Sequence, residues 1–376
     1  MKLKSIGAML IIFSIVLISS GCLNQSDSGS TNESGETFNW KMSSTYTSGT
    51  IQFERDERFV ELVNEMSNGQ LNIDLHQVGE IIEADELLDS VSDGTVELGG
   101  DWPGTWSGKN SAFSLLGTSA AGMSAFDYGM WVQSADGQEM YDELYGDYDL
   151  EYFPYNLIGA ESGIRSTEPI ESLDDIKGLN VRFVGTVQEK LLEKLGGNPV
   201  NMPQSELYEG LQRGTIDAAE FSTPSADAAI DLDEVTDYVA TPGWHQTASL
   251  TGVMINQEEF ESLPDHLQQT IKSAAKTTML ETAFDEMYND AAANEEMIDS
   301  GEVTPTEYSD EDISKIEDLV VEVQDEIAAE DDDFKKVLES QEEFMESFKE
   351  YRDILGDYGF GKNAKTLLKD EEDTED

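Results

Sequence analysis

From Phe38 onward, apolar runs of strand length alternate with longer runs of helical period, and this alternation constrains the fold more than any other feature of the chain. "FNWKMSSTY" reads as a strand. "IQFERDERFVELVNEMSNG" reads as a helix with Phe53, Phe59, Val60 and Val63 on one side and Gly69 at its end, and "QLNIDLHQV" reads as the next strand. The β-α-β order recurs with "ADELLDSVSDG" and "TVELGGDW". Further strands are expected in "LEYFPYNLIG", "GLNVRFVG", "PVNMP", "TIDAAEF", "DYVATPGW" and "LTGVMIN". An α/β protein with largely parallel sheets follows. The chain is longer than one sheet usually organises, so two lobes are expected.

The C-terminal third changes character. "SLPDHLQQTIKSAAKTTMLETAFDEMYNDAAANEEMIDSG" predicts one long helix: Pro264 suits its first turn, and Leu267, Ile271, Ala274 and Met279 keep helical spacing. Ser309 and Asp312 form a capping pattern ahead of a stripe through Ile313, Ile316, Val320, Val323 and Ile327. Phe334, Val337, Leu338, Met345, Phe348 and Tyr351 form a second stripe, suited to packing or to another subunit.

Apolar residues make up 38% of the chain, enough for one or two cores, yet 79 acidic residues face 22 basic ones and the formal charge is -57. Such a charge destabilises a compact state unless counter-ions screen it, and the Debye length shrinks to about 3 Å near molar salt. A high-salt environment is therefore expected. The same surface repels nucleic-acid phosphates, which argues against direct nucleic-acid binding.

The opening "MKLKSIGAMLIIFSIVLISSGC" has Lys2 and Lys4, an apolar run from Ile6 to Ile18, and small residues before Cys22. This pattern predicts a secretory signal over residues 1–21 rather than a spanning helix. Cys22 is the only cysteine, so no internal disulfide forms. "LISSGC" resembles a lipoprotein cleavage site, in which the Cys22 thiol takes a lipid; an ordinary signal with a chance cysteine is the alternative. Residues 22–37 read as a flexible tether, and 361–376 as an acidic tail.

Several chemistries lack their signatures. His76, His245 and His266 lie far apart, and no "HExxH", paired "CxxC", phosphate loop, dinucleotide fingerprint or "GxSxG" elbow occurs. Arginine is informative because only Arg55, Arg58, Arg165, Arg182, Arg213 and Arg352 occur. Arg182 lies in the apolar strand "LNVRFV", where a guanidinium is costly to bury unless an anion meets it. A structural ion pair and a ligand carboxylate both fit that requirement. Glu220 closes "TIDAAEF", where an unpaired carboxylate must take a proton or find a cation, such as oxygen-seeking Ca²⁺ or Na⁺. Glu161 in "IGAESG" and Gln246 in "PGWHQ" stand at similar strand-to-loop junctions.

Four segments, "SGIRSTEPIESLDDIKGLNVRFVG", "GNPVNMPQSELYEGLQRGTIDAAEF", "ATPGWHQ" and "LPDHLQQTIKSAA", resemble the extracytoplasmic solute-binding proteins of TRAP transporters, and the likeness runs from about Phe38 to Leu355. It implies a two-lobed α/β clamshell of the periplasmic-binding-protein kind, with a long hinge-spanning helix and a C-terminal helical extension. On that likeness the first lobe covers 38–160 plus about 250–262, the second 161–249, and the long and C-terminal helices 263–360. The arginine of the family's "KGLxxR" strand holds the ligand carboxylate, which here is Arg182.

"GTIDAAEF" with "PGWHQ", and "SGKNSAF" after "GDWPGTW", are similar to the subgroup that binds 2-oxo or 2-hydroxy monocarboxylates together with a metal cation. The resemblance implies a sodium or calcium site made by Glu161, Glu220, the backbone of Phe221, and Gln246. This chain departs from the pattern, which has Gln at the first of these positions and Glu at the last. The formal charge of the set is unchanged. Trp106 matches an aromatic position that covers the ligand, with Trp102 and Trp244 as further wall residues.

The resulting expectation is a non-enzymatic receptor, exported and lipid-anchored to the outer face of the cytoplasmic membrane. It captures a small organic acid for membrane permease subunits, and the subgroup implies a homodimer through the C-terminal helices. A cation-free receptor for a dicarboxylate or sugar acid, with Arg165 as a second anchor, is the nearest alternative. A secreted carbohydrate-active enzyme using Glu161 and Glu220 as acid and base is a more distant one, and a purely structural acidic surface protein is the last.

Overall fold

The computed structural model of the protein describes residues 36–356. The expected signal segment, Cys22, the tether as far as residue 35 and the acidic tail lie outside the described residues. Among the described residues, twelve strands form two six-stranded sheets. In chain order they are β1 (Phe38–Ser44), β2 (Leu71–His76), β3 (Leu98–Asp101), β4 (Thr118–Ser119), β5 (Leu150–Ile158) and β6 (Ile164–Ser166). There follow β7 (Asn180–Arg182), β8 (Asn198–Val200), β9 (Ala218–Ala219), β10 (Tyr238–Thr241), β11 (Ala248–Asn256) and β12 (Thr304–Glu307).

The first sheet runs β2-β1-β3-β11, with β4 and β5 also paired to β11. The second runs β12-β10-β6-β9-β7-β8. The β-α-β units give parallel pairs, β1 with β2 and β3, and β7 with β8 and β9. The sheets are nevertheless mixed rather than largely parallel. The chain leaves the first sheet through β5 and returns through β11, so these two strands run opposite ways and pair antiparallel from Ser249–Ile158 to Asn256–Leu150. In the second sheet β6 is antiparallel to both β9 and β10.

The first helix, Ile51–Met66, starts where Thr50 accepts a hydrogen bond from the Phe53 amide at 3.3 Å, a side-chain cap for an otherwise orphaned donor. It buries Phe59, Val60, Leu62 and Val63 against Trp40, Met42, Leu71 and Ile73 of the first sheet, and Phe53 is buried as well. Each such side chain contributes roughly 1.5–3 kcal/mol when fully buried. The long helix spans Asp265–Ser300 and ends at Gly301, whose φ of +68° is the left-handed cap that glycine adopts without strain. Its Leu267, Ile271 and Ala274 join the first-sheet core, while Asp290 accepts the Ser225 amide at 3.1 Å from the short helix Pro224–Ala228 of the second-sheet lobe. One element thus touches both lobes.

Helices Asp310–Ala328 and Asp332–Leu355 complete the fold. Ser309 caps the first, accepting the Asp312 amide at 3.1 Å, and its stripe is buried at Ile316, Val320, Val323 and Ile327. The second is buried at Phe334, Val337 and Leu338, then emerges until Tyr351 and Ile354 are 50% and 74% exposed. Strand β12 was expected to be part of the helical C-terminal segment. It is a short edge strand, mostly exposed, containing Pro305, and it pairs only with β10, so no apolar alternation marks it in the sequence. Among the described residues no helix is long and apolar enough to cross a membrane.

Candidate functional site

Parallel pairing of β7 with β9 puts Arg182 opposite Ala219 and brings the next residue, Glu220, to the same strand ends. Nη1 of Arg182 donates to the Glu220 carbonyl and to its Oε1, both at 2.8 Å, and Nε donates to the Met202 carbonyl at 3.3 Å. The Val184 amide donates to Glu220 Oε1 at 3.1 Å. Nη2 makes no hydrogen bond to a described residue, and Arg182 borders the cavity between the lobes. The guanidinium is therefore half committed to the protein and half open.

Glu161 follows β5 and is held against the loop after β10. Its amide donates to the Gln246 carbonyl at 3.0 Å, and a bridge joins it to Gly243. Two glycines permit this approach: a Cβ on Gly243 would lie 2.2 Å from the Glu161 carbonyl oxygen, and one on Gly163, at φ +134°, would lie 2.2 Å from that of Ala240. Gln246 Nε2 donates to Glu161 Oε1 at 2.7 Å and lies 3.4 Å from Glu220 Oε2. His245 Nε2 meets Glu161 Oε2 at 2.8 Å.

The five side chains, Glu161, Arg182, Glu220, His245 and Gln246, are at most 9% exposed. Burial pushes the Glu161 carboxyl up to about 8, aided by the nearby charge of Asp227 and opposed by Arg182. Burial likewise raises Glu220 to about 7, with Arg182 opposing and Glu161 adding to the rise. Burial lowers the His245 imidazole to about 4, which leaves it neutral. With Nδ1 buried and unpartnered, the consistent tautomer carries its proton on Nε2 and donates to Glu161.

Ligand atoms of Glu161, Glu220 and His245 lie within 4.8 Å of one another, and Gln246 Oε1 is buried with no hydrogen-bond partner. Two crowded carboxylates, an orphaned amide oxygen and a single arginine form an oxygen-rich, charge-deficient set. That chemistry fits a hard cation. Gln246 Nε2 contacts both carboxyls, so a glycosidic bond has no room between them, and the acid–base enzyme reading is set aside.

The cavity measures about 520 Å³ and is bordered by Trp102, Glu161, Arg182, Glu220, Phe221 and Gln246 among the residues expected from the sequence. Three other expected residues lie elsewhere. Arg165 is 1% exposed inside the second-sheet lobe, where its Nε donates to Asp227 Oδ2 at 3.0 Å and its Nη1 abuts the Met297 sulfur. A buried guanidinium takes the nearest carboxylate, and Asp227 supplies it. Trp106 is buried with its indole donating to Asp101, and Trp244 is buried edge-on against His245.

The cavity-wall indole is Trp102, whose Nε1 donates to the Gly117 carbonyl at 2.9 Å and the Ser249 hydroxyl at 3.0 Å. His245 was not singled out. Its signal was its position beside Gln246 in a chain with three histidines.

Two α/β lobes, crossed twice by antiparallel strands and meeting at a cavity bounded by strand ends, define a clamshell binding protein. The chain belongs to the bacterial extracellular solute-binding protein family 7, whose sequence profile matches residues 42–331. That is a family of solute receptors, not of enzymes. The chain is 28% identical over 308 residues to the monocarboxylate 2-oxoacid-binding periplasmic protein of Nostoc sp., covering 81% of this chain and 83% of that protein.

Among solved structures, a TRAP transporter solute-binding protein of Bordetella bronchiseptica superposes with a TM-score of 0.80 at 25% identity, covering 87% of this chain and 98% of that one. It is a dimer of mixed occupancy, with calcium and picolinate bound in one active site and the other site apo. A TRAP periplasmic solute-binding protein of Pseudoalteromonas atlantica, with bound sodium and pyruvate, also gives a TM-score of 0.80, at 27% identity over 85% of this chain and 97% of that one.

Proposed function

We propose that this chain is the extracytoplasmic receptor of a TRAP transporter, capturing a small 2-oxo or 2-hydroxy monocarboxylate with a sodium or calcium ion for delivery to permease subunits. The observation that carries the reading is the half-open guanidinium of Arg182 beside the buried oxygen set of Glu161, Glu220 and Gln246. Arg182 takes the ligand carboxylate through its uncommitted edge, a charge-assisted contact stronger than a neutral one. Glu161, Glu220, the Gln246 amide oxygen and the Phe221 backbone would hold the cation, which supplies positive charge to the ligand's oxygens. His245 keeps Glu161 aimed by donating from Nε2. Closure removes water and strengthens these contacts. The difference between open and closed states is then available for permease subunits to read.

The dicarboxylate alternative depended on Arg165, which is paired with Asp227 away from the cavity. The reading extends to a Cys22 lipid anchor, which rests on the sequence, and to a homodimer. The dimer is supported by exposed Tyr351 and Ile354 at the end of the last helix and by the dimeric Bordetella relative.

Calorimetric titration with pyruvate tests the reading, run in molar potassium chloride with and without added sodium or calcium. Binding should weaken at least about tenfold without either ion. Affinity indifferent to both ions would overturn the cation-assisted reading, and no binding to any small carboxylate would overturn the receptor reading.

A further inference from the structure

The cavity has two chemically unlike walls. All its charged lining residues among those described, Glu161, Arg182, Glu189 and Glu220, follow β5 and precede β10, on the second-sheet side. The facing wall, from the first-sheet lobe, is uncharged and includes Thr45, Tyr46, Gln52, Trp102 and Thr251. Two of these residues stand out. Gln52 is 8% and Thr251 2% exposed, yet neither side chain makes a hydrogen bond to a described residue, and neither has a polar atom sealed away from the cavity. Buried polar groups nearly always have partners, so free ones at a cavity wall are available to a ligand.

What lies behind the wall restricts that ligand. Asp56 sits one turn beyond Gln52 on the same helix, and Asp101 adjoins Trp102 in sequence. Both are fully buried. Asp56 accepts from the Tyr155 hydroxyl, and Asp101 from the Trp106 indole and, at 3.2 Å, the Tyr145 hydroxyl. Neither is ion-paired with a described Lys or Arg. A carboxylate entering this side would lose its water, find no cation, and approach two acids.

Resting on the receptor reading above, we propose that Gln52 and Thr251 form a subsite for the far end of the ligand, and that this end carries an uncharged hydroxyl or carbonyl group. The class of ligand is a 2-oxo or 2-hydroxy monocarboxylate with an oxygenated tail, its charged head on the Arg182 side and its tail against the first-sheet wall. Gln52 and Thr251 are specificity-determining residues. A tail ending in methyl leaves the amide and hydroxyl unpaired on closure, and a tail ending in carboxylate leaves its charge uncompensated.

The test is calorimetric titration, with sodium or calcium present, of three ligands of equal chain length: 2-oxopentanoate, 5-hydroxy-2-oxopentanoate and 2-oxoglutarate. The hydroxylated ligand should bind about tenfold tighter than the methyl-ended one, with the dicarboxylate weaker than the hydroxylated ligand by at least as much. In Gln52→Leu and Thr251→Val the preference for hydroxyl over methyl should fall below about threefold, with 2-oxopentanoate binding at least as tightly as in the wild type because no unpaired polar group is left against its methyl end. The proposal fails if 2-oxoglutarate matches the hydroxylated ligand, if methyl equals hydroxyl in the wild type, or if both variants keep the preference. If none of the three ligands binds with either ion, titration with pyruvate separates the failures: pyruvate binding overturns the tail subsite alone, and its absence brings down the receptor reading as well.

Discussion

Arg182 and Glu220 form a buried ion pair at 2.8 Å in which the same arginine nitrogen also holds the Glu220 backbone carbonyl. Both odd demands of the sequence, a guanidinium in an apolar strand and a carboxylate at the end of another, are answered by strand pairing. The structural ion pair and the ligand role considered for Arg182 are compatible, because Nη1 serves the first and Nη2 remains for the second.

Replacing Arg182 with Ala should remove carboxylate binding by about 100-fold or more, the effect of losing one partner of a buried charge pair. It also removes the charge that opposes the raised pKa of Glu220, so that carboxyl should titrate higher still. Titration calorimetry with pyruvate and a pH series of melting temperatures check the two consequences. Retained affinity in a folded variant would count against the assignment.

The pH response follows from the crowded carboxyls. Glu161 and Glu220 rise from an ordinary 4.5 to about 8 and about 7, so between those limits the folded, cation-free protein holds more protons than the unfolded chain. Stability from this pair is therefore present at low pH and is lost as pH rises toward 8. A cation displaces those protons and reverses the loss. Calcium should raise the melting temperature more at about pH 8.5 than at about pH 6. Asp56, Asp101 and Glu286 are also raised by burial and add to the same slope with or without calcium. The discriminating variant is Glu161→Gln, which should shrink the calcium-dependent difference; an unchanged difference would exclude Glu161 as a cation ligand.

Much of this was legible in the sequence, for identifiable reasons. Helical period marked Ile51–Met66 and the long helix because each buries one stripe, and motif likeness located Arg182 and Glu220. What stayed hidden depended on three-dimensional choice between similar residues. Arg165 and Arg182 both lie in short apolar strands, and only the position of Asp227 decides which one is spent inside the lobe. Trp102 and Trp106 are four residues apart, and the turn through Pro103 and Gly104 faces one to the cavity and the other to Asp101. Gln52 carried no signal, since an amide in a helix's first turn reads as ordinary surface.

Charge makes a separate demand. At a net charge of -57, self-repulsion acts across the whole surface, and screening tightens from about 10 Å at 0.1 M salt to about 3 Å at 1 M. The melting temperature should climb steadily with potassium chloride over that range, in the absence of any ligand. Differential scanning fluorimetry reads it directly, and a flat profile would mean that the acidic surface is already compensated in the fold.

The Arg165–Asp227 pair gives the sharpest contrast with Arg182. Both residues are essentially inaccessible, their contact is 3.0 Å, and Asp227 also accepts the Ser222 amide at 3.1 Å. Arg165→Met leaves Asp227 buried without its cation and should cost about 3–5 kcal/mol. Adding Asp227→Asn removes the stranded charge but keeps an oxygen for the Ser222 amide, so the double variant should recover a large part of that loss. Arg165 and Asp227 are neutralised as an ion pair, so the net charge beside the cation set is unchanged. Ligand affinity of the double variant should stay within about threefold of wild type, as expected for a change outside the cavity. Urea unfolding measures the first effect and calorimetry the second. A double variant that regains stability yet loses ligand would return Arg165 to the binding machinery.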